Sequence, residues 1–570
     1  MSSKSWIYKS KTEEETVANL SERLNIQPVL AKLLVDRGIR SYDQAKRFFR
    51  PSLKELHDPF LMKDMQLAVD RIHLAIAKEE WIMVYGDYDV DGTTSVSLMY
   101  TYLKKTYKNV IYYIPDRYHE GYGVSFLGID RAVEKHCKLI ISLDCGIKAI
   151  DKIAYANEKD VDFIICDHHR PGENLPEAVA ILDPKRKDCQ YPYKELSGCG
   201  VGFKLIQALQ QSDKKPFEDL EEYLDLVAVS IGADIVHITG ENRVLAYYGL
   251  VRLNKFPREG FKAFMDVSQH KEMSISDVVF MIAPRINAAG RIEHATKAVE
   301  LLTEGEASQA KSFAEKINSY NEYRKELDKQ ITIEALEQIE TLAEQSRKTT
   351  VVFAPHWHKG VIGIVASRLI ETYYRPTLVF TESKGVLTAS ARSVKDFDVY
   401  NALESCSDLI EQFGGHMYAA GLTIKKENYE AFKAKFEAVV SGSITEEILT
   451  EKIEIDAVIE LKSINKNFYN VLKQFEPHGP ENLHPVFCTK DVVDNGWSKC
   501  VGEDNKHLKV GLRPKSSNTP FMSGIGFNMG KHYTHLSKRE PFDVCYALEE
   551  NVWRDKVNLQ LRIKDIKVHS

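Results

Sequence analysis

The chain has no Cys-x-x-Cys pair, no run approaching about 18 consecutive apolar residues, and no apolar stretch in the N-terminal MSSKSWIYKSKTEEETVANL. The first absence argues against structural zinc of the usual kind. The second argues against a membrane-spanning helix, and the third against a secretory signal, so a cytoplasmic protein is expected. Nine cysteines, an odd number scattered over 570 residues, fit a reducing compartment better than a disulfide framework. Internal repeats and low-complexity tracts are also missing. Basic charge is not in excess: 76 Lys and Arg against 82 Asp and Glu give −6. That balance looks unpromising for nucleic acid, although a local basic groove is felt through its own field.

What the chain does have is a change of texture along its length. Residues 1–80 read as short helices. From 81 onward, apolar runs at Trp81–Tyr85, Val110–Ile114, Leu139–Leu143, Phe163–Cys166 and Ala178–Leu182 alternate with helix-like stretches. Continuous apolar strands separated by helices predict a parallel α/β sheet covered on both faces. Residues 303–347, with no Gly after 305, no Pro and charges of alternating sign, read as one long exposed helix or a helix pair between lobes. A second α/β texture follows. Beyond about 448 come short β-rich pieces (Glu451–Ile459, Val486–Asp494, His507–Leu512, Ser523–Phe527, Asp543–Ala547, Asn558–Ile566), which predict a small barrel or sandwich.

Ligands of parallel sheets bind beyond the carboxyl ends of the strands, and the chemistry clusters there. After the first strand come Asp87, Asp89 and Asp91; after the third, Asp144; after the fourth, Asp167-His168-His169. A lone DYDVDG would pass for a solvated turn. Three such strand ends would instead repel one another and raise their own pKa values unless cations neutralised them. Carboxylate and imidazole without thiolate suit Mn²⁺ or Mg²⁺, and several carboxylates suit two ions acting on a phosphate. A fourth acid follows the apolar stretch Ala228–Ala233: Asp234 is one candidate and Asp225 the other, and spacing does not choose between them.

DYDVDG, LDCG, CDHH and a later Ala-Asp, in that order, resemble the DHH phosphoesterase superfamily. That resemblance implies metal ligands at Asp89, Asp91, Asp144, His168 and Asp234, with Asp87 and His169 as supporting catalytic groups. The segments Pro115–Gly123, Ser197–Gly202, Pro284–Arg291 and Gly414–Gly421 resemble RecJ-type exonucleases more narrowly. Arg117 lies in the first of them. Arg285, Asn287 and Arg291 lie in another, read as two guanidiniums flanking a tight Asn-Ala-Ala-Gly turn. His358 and Lys359 open a glycine-containing helix start, a natural anion site. Ser390, Arg392, Gly414, Gly415 and His416 are further candidates for holding phosphates or a terminal nucleotide.

The resemblance implies an N-terminal helical segment (1–80), a DHH catalytic domain (81–302), a connecting helix (303–347), a DHH-associated substrate-binding domain (348–447) and an oligonucleotide-binding, OB-like barrel (448–570). The barrel's entry departs from the family pattern, with His478 and Pro480 where Phe and Gly are usual and His484 at its end. The activity so implied is hydrolysis of single-stranded DNA from 5′ to 3′ into mononucleotides, in repair and recombination. A helicase and a single-strand-binding protein are the implied partners, with a monomer as the default. Two rivals are a phosphodiesterase for short oligonucleotides or cyclic dinucleotides, and a replication scaffold without catalysis. Length argues against the first, and the intact acidic positions argue against the second.

Overall fold

The structure, a computed structural model, describes residues 4–9, 13–268, 272–515, 521–553 and 556–569. The chain divides into two compact units. One contains Leu56–Val236 and Gly240–Glu451; the other contains Lys4–Glu55, His237–Thr239 and Lys452–Ser570. No helix among the described residues is long and apolar enough to cross a membrane.

The first unit opens with α1 (Met65–Ala77) and a five-stranded sheet. Its strands are β1 (Trp81–Gly86), β2 (Val110–Tyr113), β3 (Cys137–Leu143), β4 (Asp162–Cys166) and β5 (Ala180–Leu182). All neighbours are parallel, in the order β2-β1-β3-β4-β5. Ile82 to Tyr85, Leu139 to Ile141 and Phe163 to Cys166 are fully buried, as continuous apolar runs in a sheet covered on both faces should be. Strand order reverses between β1 and β3, and that switch point is where a crevice opens at the carboxyl ends. Three helices close over it: α2 (Val90–Lys104), α3 (Gly198–Ser212) and α4 (Leu224–Ala233). After these, α5 (Ala283–Ile292) leads toward α6 (Ala307–Thr341).

Helix α6 is a single helix, which removes the helix-pair option, and it is not simply exposed. Ala310, Ala314, Ile317, Asn321, Arg324, Asp328, Ile331, Ala335 and Ile339 are buried at spacings of three and four residues. The alternating charges occupy the other faces, which hid a seam that includes three polar residues. Beyond α6 lies a mixed sheet of β6 (Thr350–Phe353), β7 (Thr377–Ser383), β8 (Val386–Arg392), β9 (Gln412–His416) and β10 (Ala419–Ile424), with α7 (Ile362–Thr372) following β6. The order is β9-β10-β8-β7-β6, with only β6 and β7 parallel.

The second unit corrects the reading of residues 1–80 as one helical segment. Residues Ser5–Tyr8 form a strand that pairs in parallel with Lys452–Ile455, and residues 4–55 fold with the C-terminal part. Four residues are too few to show a period, and the partner strand lies far along the chain. Phe487–Asp494 pairs with both His507–Pro514 and Phe542–Trp553. Lys556–Val568 and Met522–Gly526 complete the circuit, so five strands close a barrel and leave none of the five with a free edge.

Phe432, fully buried in the core of the lobe after α6, packs its ring against Phe380 at 5.7 Å and Phe436 at 5.8 Å. Phe432→Ala is expected to cost about 3–5 kcal/mol, seen as a fall in that lobe's denaturation midpoint. An unchanged midpoint would show that this core is not packed as described.

Candidate metal centre and phosphate cleft

The loop after β1 folds back tightly on itself. A Cβ on Gly92 would stand 2.3 Å from the Asp87 carbonyl oxygen, so only glycine permits Asp89 to cap α2 by accepting from the Gly92 N–H. This turn places three carboxylates in different surroundings, Asp87 and Asp91 buried and Asp89 partly exposed. Asp87 Oδ1 accepts from the Gly123 N–H at 3.2 Å, whereas its Oδ2 has no partner. Asp91 is held on both oxygens: Oδ2 by the Gly198 N–H at 2.7 Å, and Oδ1 by the Cys199 N–H at 2.8 Å and the Ser230 hydroxyl at 2.7 Å. The positive end of α3 therefore fixes this carboxylate.

At the end of β3, Asp144 adopts a φ of +60°, and a Cβ on Gly198 would approach the Asp144 Cβ to 2.6 Å. At the end of β4, Asp167 serves its own loop. It accepts from the backbone N–H groups of Ile147, His168 and His169 and pairs with His169 Nδ1 at 2.8 Å. That leaves His168 facing the other acids: Nε2 is 3.1 Å from Asp144, 3.5 Å from Asp234 and 3.7 Å from Asp91. Two ligand-sized groups result, Asp144-His168-His169 and Asp91-His168-Asp234, each with its donor atoms within 4.8 Å of one another. Asp225 is elsewhere, clasped by Arg258 at 2.7 and 2.9 Å, so of the two candidates that spacing left open it is Asp234 that lies beside His168.

The electrostatics of this cluster are dominated by burial and by like charge. Burial, then neighbouring carboxylates, pushes Asp87, Asp89 and Asp144 upward, and Asp234 up to about 8. Burial holds His168 below its ordinary value, which leaves the imidazole neutral, as a metal ligand must be. Asp167 moves the other way: despite burial, its bonds from His169 and the loop keep it well below the usual range. Burial opposes protonation of His169, but Asp167 raises it to about 9. Both His168 ring nitrogens, Asp144 Oδ1 and Asp87 Oδ2 are buried without hydrogen-bond partners. Orphaned donors and acceptors of this kind, all oxygen and imidazole nitrogen, fit hard divalent cations.

A second concentration of charge, of opposite sign, lies next to the first. Gly290 brings α5 to 3.0 Å from the Tyr88 backbone oxygen, measured from where a Cβ would stand. Arg291, near the end of α5, donates to the Gly360 carbonyl at 3.2 Å. Burial, then repulsion from Arg117, Arg324 and Arg392, pushes Arg291 down to about 9. Arg392 donates to the Ser390 hydroxyl at 3.1 Å, and burial with Arg117 nearby lowers it too. Arg117 lies over the Tyr88 ring at 4.7 Å. Lys359 is lowered by burial, Lys384 and Arg117; His358 is lowered by burial and meets Tyr118 edge-on. Among the described residues, none of Arg117, Arg291, Arg324, Arg392 and Lys359 pairs with a carboxylate. Clustered cations without paired acids have the chemistry that suits an anion.

One sequence expectation is corrected here, and the other candidates are placed. The Asn-Ala-Ala-Gly stretch is helical, not a tight turn, and six residues of helix set Arg285 and Arg291 about 120° apart. Arg285 is instead tied to Asn318 at 3.0 Å and to the Met281 carbonyl at 2.7 Å; Asn287 is half-buried on the same helix. Gly414, Gly415 and His416 lie in the β9–β10 hairpin, where a Cβ on Gly415 would meet the Ala419 oxygen at 2.3 Å. His416 is exposed and accepts from the Tyr418 N–H, although Ala419 sits opposite Arg392. Sequence reasoning also missed Arg324, inside the seam of α6, and Ser230 and Tyr122. The Tyr122 hydroxyl is 3.1 Å from His169 Nε2. The three-four spacing through Asn321, Arg324 and Asp328 was the available signal for Arg324.

Residues 81–231 match the DHH family, N-terminal domain; residues 346–442 match the DHHA1 domain; residues 455–565 match the RecJ OB domain. The single-stranded-DNA-specific exonuclease RecJ of Bacillus subtilis is 36% identical over 562 residues, 98% of this chain and 70% of that protein. The Escherichia coli RecJ is 31% identical, covering 98% of both chains. This chain belongs to the RecJ family. A crystal structure of Thermus thermophilus RecJ in complex with Mn²⁺ is similar with a TM-score of 0.85 at 26% identity, over 99% of this chain and 80% of that one. A Mg²⁺ complex from the same organism gives 0.79 at 25% identity, over 99% and 79%. Family membership thus rests on all three matched regions.

Because Asp234 is raised from 3.8 to about 8, the metal-free fold is favoured at low pH and loses that advantage as pH rises through 8. Cation binding offsets the repulsion and competes with protons. The rise in melting temperature on adding Mn²⁺ to EDTA-treated protein is therefore expected to be larger at pH 8 than at pH 6, and Asp144→Ala should remove most of it. A shift independent of pH would contradict the ligand set.

Proposed function

We propose that this protein is a metal-dependent exonuclease that hydrolyses single-stranded DNA from its 5′ end to mononucleotides. The observation that carries the reading is the pairing of the two charge concentrations: Asp91, Asp144, His168 and Asp234 within ligand reach of one another, beside a buried arginine group without acids. Polarity and product follow from likeness to the family. A helicase to open the duplex and a single-strand-binding protein to coat the strand are the partners it implies, and the monomer is taken as the acting unit.

Asp89, Asp91, Asp144, His168 and Asp234 would hold two Mn²⁺ or Mg²⁺ ions, with Asp87 and His169 beside them. Bound there, such ions polarise a phosphodiester and acidify water. The protein's own groups supply position. Asp91 cannot swing, because three donors hold it. Asp167 orients the His169 ring through Nδ1 and leaves Nε2 turned toward the Tyr122 hydroxyl, on the open side where a phosphate oxygen or departing hydroxyl would lie. Arg117, Arg291, Arg324 and Arg392 would grip the adjoining backbone phosphates and hold the reacting phosphodiester in register.

The barrel supplies a second kind of contact. Trp497, half exposed, lies 6.2 Å from the Phe521 ring, with Lys499 and Lys509 over it; Phe527 is flanked by His507 and Arg562. Aromatic faces interleaved with cations suit an unpaired strand.

End-labelled single-stranded and duplex DNA, incubated with Mn²⁺, Mg²⁺ or EDTA, tests the reading. Progressive release of mononucleotides from the 5′ end of the single strand is expected, and EDTA should abolish it. Cleavage of cyclic dinucleotides with no action on long strands would overturn it. Arg291→Ala should raise KM about tenfold or more, with strand binding becoming less salt-sensitive. Trp497→Ala combined with Phe527→Ala should weaken long-strand binding by about 1–3 kcal/mol per lost stack while short substrates are cleaved at nearly the normal rate, as binding and initial-rate measurements will show.

A further inference from the structure

Most acids of the metal centre come from the middle of the catalytic sheet, and the turns after both of its edge strands carry cations. Asp87, Asp89 and Asp91 follow β1, Asp144 follows β3 and His168 follows β4, in the strand order β2-β1-β3-β4-β5. Arg117, of the arginine group, follows the edge strand β2, and Lys185 follows the other edge strand, β5. Four strand spacings put the two edges roughly 19 Å apart.

The turn that presents Lys185 is firmly built. Its backbone N–H donates to Asp183 Oδ1 at 2.7 Å, closing an Asx turn. Arg186, which is buried, donates to both Asp188 oxygens at 2.9 and 2.8 Å and to the Ile181 carbonyl at 2.7 Å. Strand β5 also adjoins the metal centre, because the Asp167 N–H donates to the Leu182 carbonyl at 3.0 Å.

The Lys185 ammonium pairs with Glu195 at 3.3 Å, the one acid with which it pairs among the described residues. Glu195 lies two residues before Ser197, whose hydroxyl is 2.6 Å from that of Ser230, the residue that bonds Asp91. The charge is felt at the metal centre. Burial and neighbouring carboxylates raise Asp234, and Lys185 acts against them; burial lowers His168, and Lys185 adds to it. A partly exposed ion pair contributes little to stability, so the ammonium exchanges Glu195 for a phosphate at little cost.

We propose that Lys185 holds the backbone phosphate next to the scissile one on its 3′ side, at the edge of the metal centre away from Arg117. This rests on the exonuclease reading. Arg291 and Arg392, enclosed enough for burial to lower both, suit the short 5′ end of a strand. Lys185, partly exposed on an edge turn, suits the portion that continues into solvent.

The test uses two 5′-labelled single strands, one natural and one with an uncharged methylphosphonate at the linkage next to the scissile one on its 3′ side. Release of the first nucleotide is measured with Mn²⁺ for full-length wild type, Lys185→Ala and Lys185→Arg. The wild type is expected to favour the natural strand about fivefold in kcat/KM, mainly through KM. Lys185→Ala should lose about that factor on the natural strand and almost nothing on the modified one, and its salt dependence should be shallower by about 0.7 per decade of salt. Lys185→Arg should restore the preference. Because the two strands are compared within each variant, a smaller folded fraction lowers both rates alike and leaves the ratio unchanged. An unaltered preference in Lys185→Ala, or no preference in the wild type, would overturn the inference and leave the exonuclease reading standing. Hydrolysis of neither strand by the wild type would remove both.

Discussion

Mutual repulsion among buried like charges is the constraint on which the site depends. Asp87, Asp89, Asp91 and Asp144 lie at the ends of two adjacent strands, with Asp234 brought in by a helix terminus. No lysine or arginine pairs with any of them among the described residues. Next to them stand Arg117, Arg291, Arg324 and Arg392, none of which pairs with a carboxylate among the described residues; burial and the neighbouring guanidiniums lower Arg291, and burial with Arg117 lowers Arg392. Mixing the two groups would satisfy both, yet the fold keeps them apart, with the backbone of Tyr88 and the close approach at Gly290 between. Such segregation costs stability in the free protein and would be offset if cations entered one side and phosphates the other. A metal-bridged phosphodiester supplies both at once.

The segregation is maintained by parts with no charge of their own. Gly92 and Gly198 matter because a Cβ would strike the Asp87 backbone or the Asp144 side chain. Ser230 and the first amides of α3 matter because they fix Asp91. Asp167 accepts four hydrogen bonds at its own strand end, and so leaves His168 as the group that faces the acids. The two histidines are consequently unlike: one is buried and neutral among carboxylates, the other half-exposed and tied to Asp167.

These differences explain what the sequence disclosed. The catalytic sheet and its acidic ends were legible because each apolar run is local and its acids follow at once, so strand, edge and chemistry are read within ten residues. Spacing did not separate Asp234 from Asp225, and only the resemblance named Asp234; that Asp234 and not Asp225 lies beside His168 depends on Arg258 claiming Asp225 from 33 residues away. The helix α5 was misread as a turn because Asn and Gly are local punctuation, and packing along α6 overrides that preference. The strand Ser5–Tyr8 was invisible for a related reason: its partner, Lys452–Ile455, is contributed by the far end of the chain. Local patterns reveal which groups exist, and distant contacts decide which of them meet.

Helix α6 shows how those distant contacts set the distance between the two halves of the site. At about 1.5 Å per residue its 35 residues span roughly 52 Å, and its polar seam is engaged along much of that length. Asn318 accepts from Arg285 on the catalytic side. Asn321 accepts from Arg324, which faces the arginine group. Further along, Asp328 takes Arg368 of α7, Glu334 takes the Trp357 indole, and Gln338 bonds the Phe353 backbone. A connector chosen only to join lobes would need none of these; alternating surface charge would suffice. One rigid element bonded to both lobes instead fixes where the phosphate grip lies relative to the metal centre. Because a phosphodiester backbone has a set repeat, a cleft of fixed span would hold a strand with a particular bond at the acids, which is what the proposed cleavage at a defined position from an end requires.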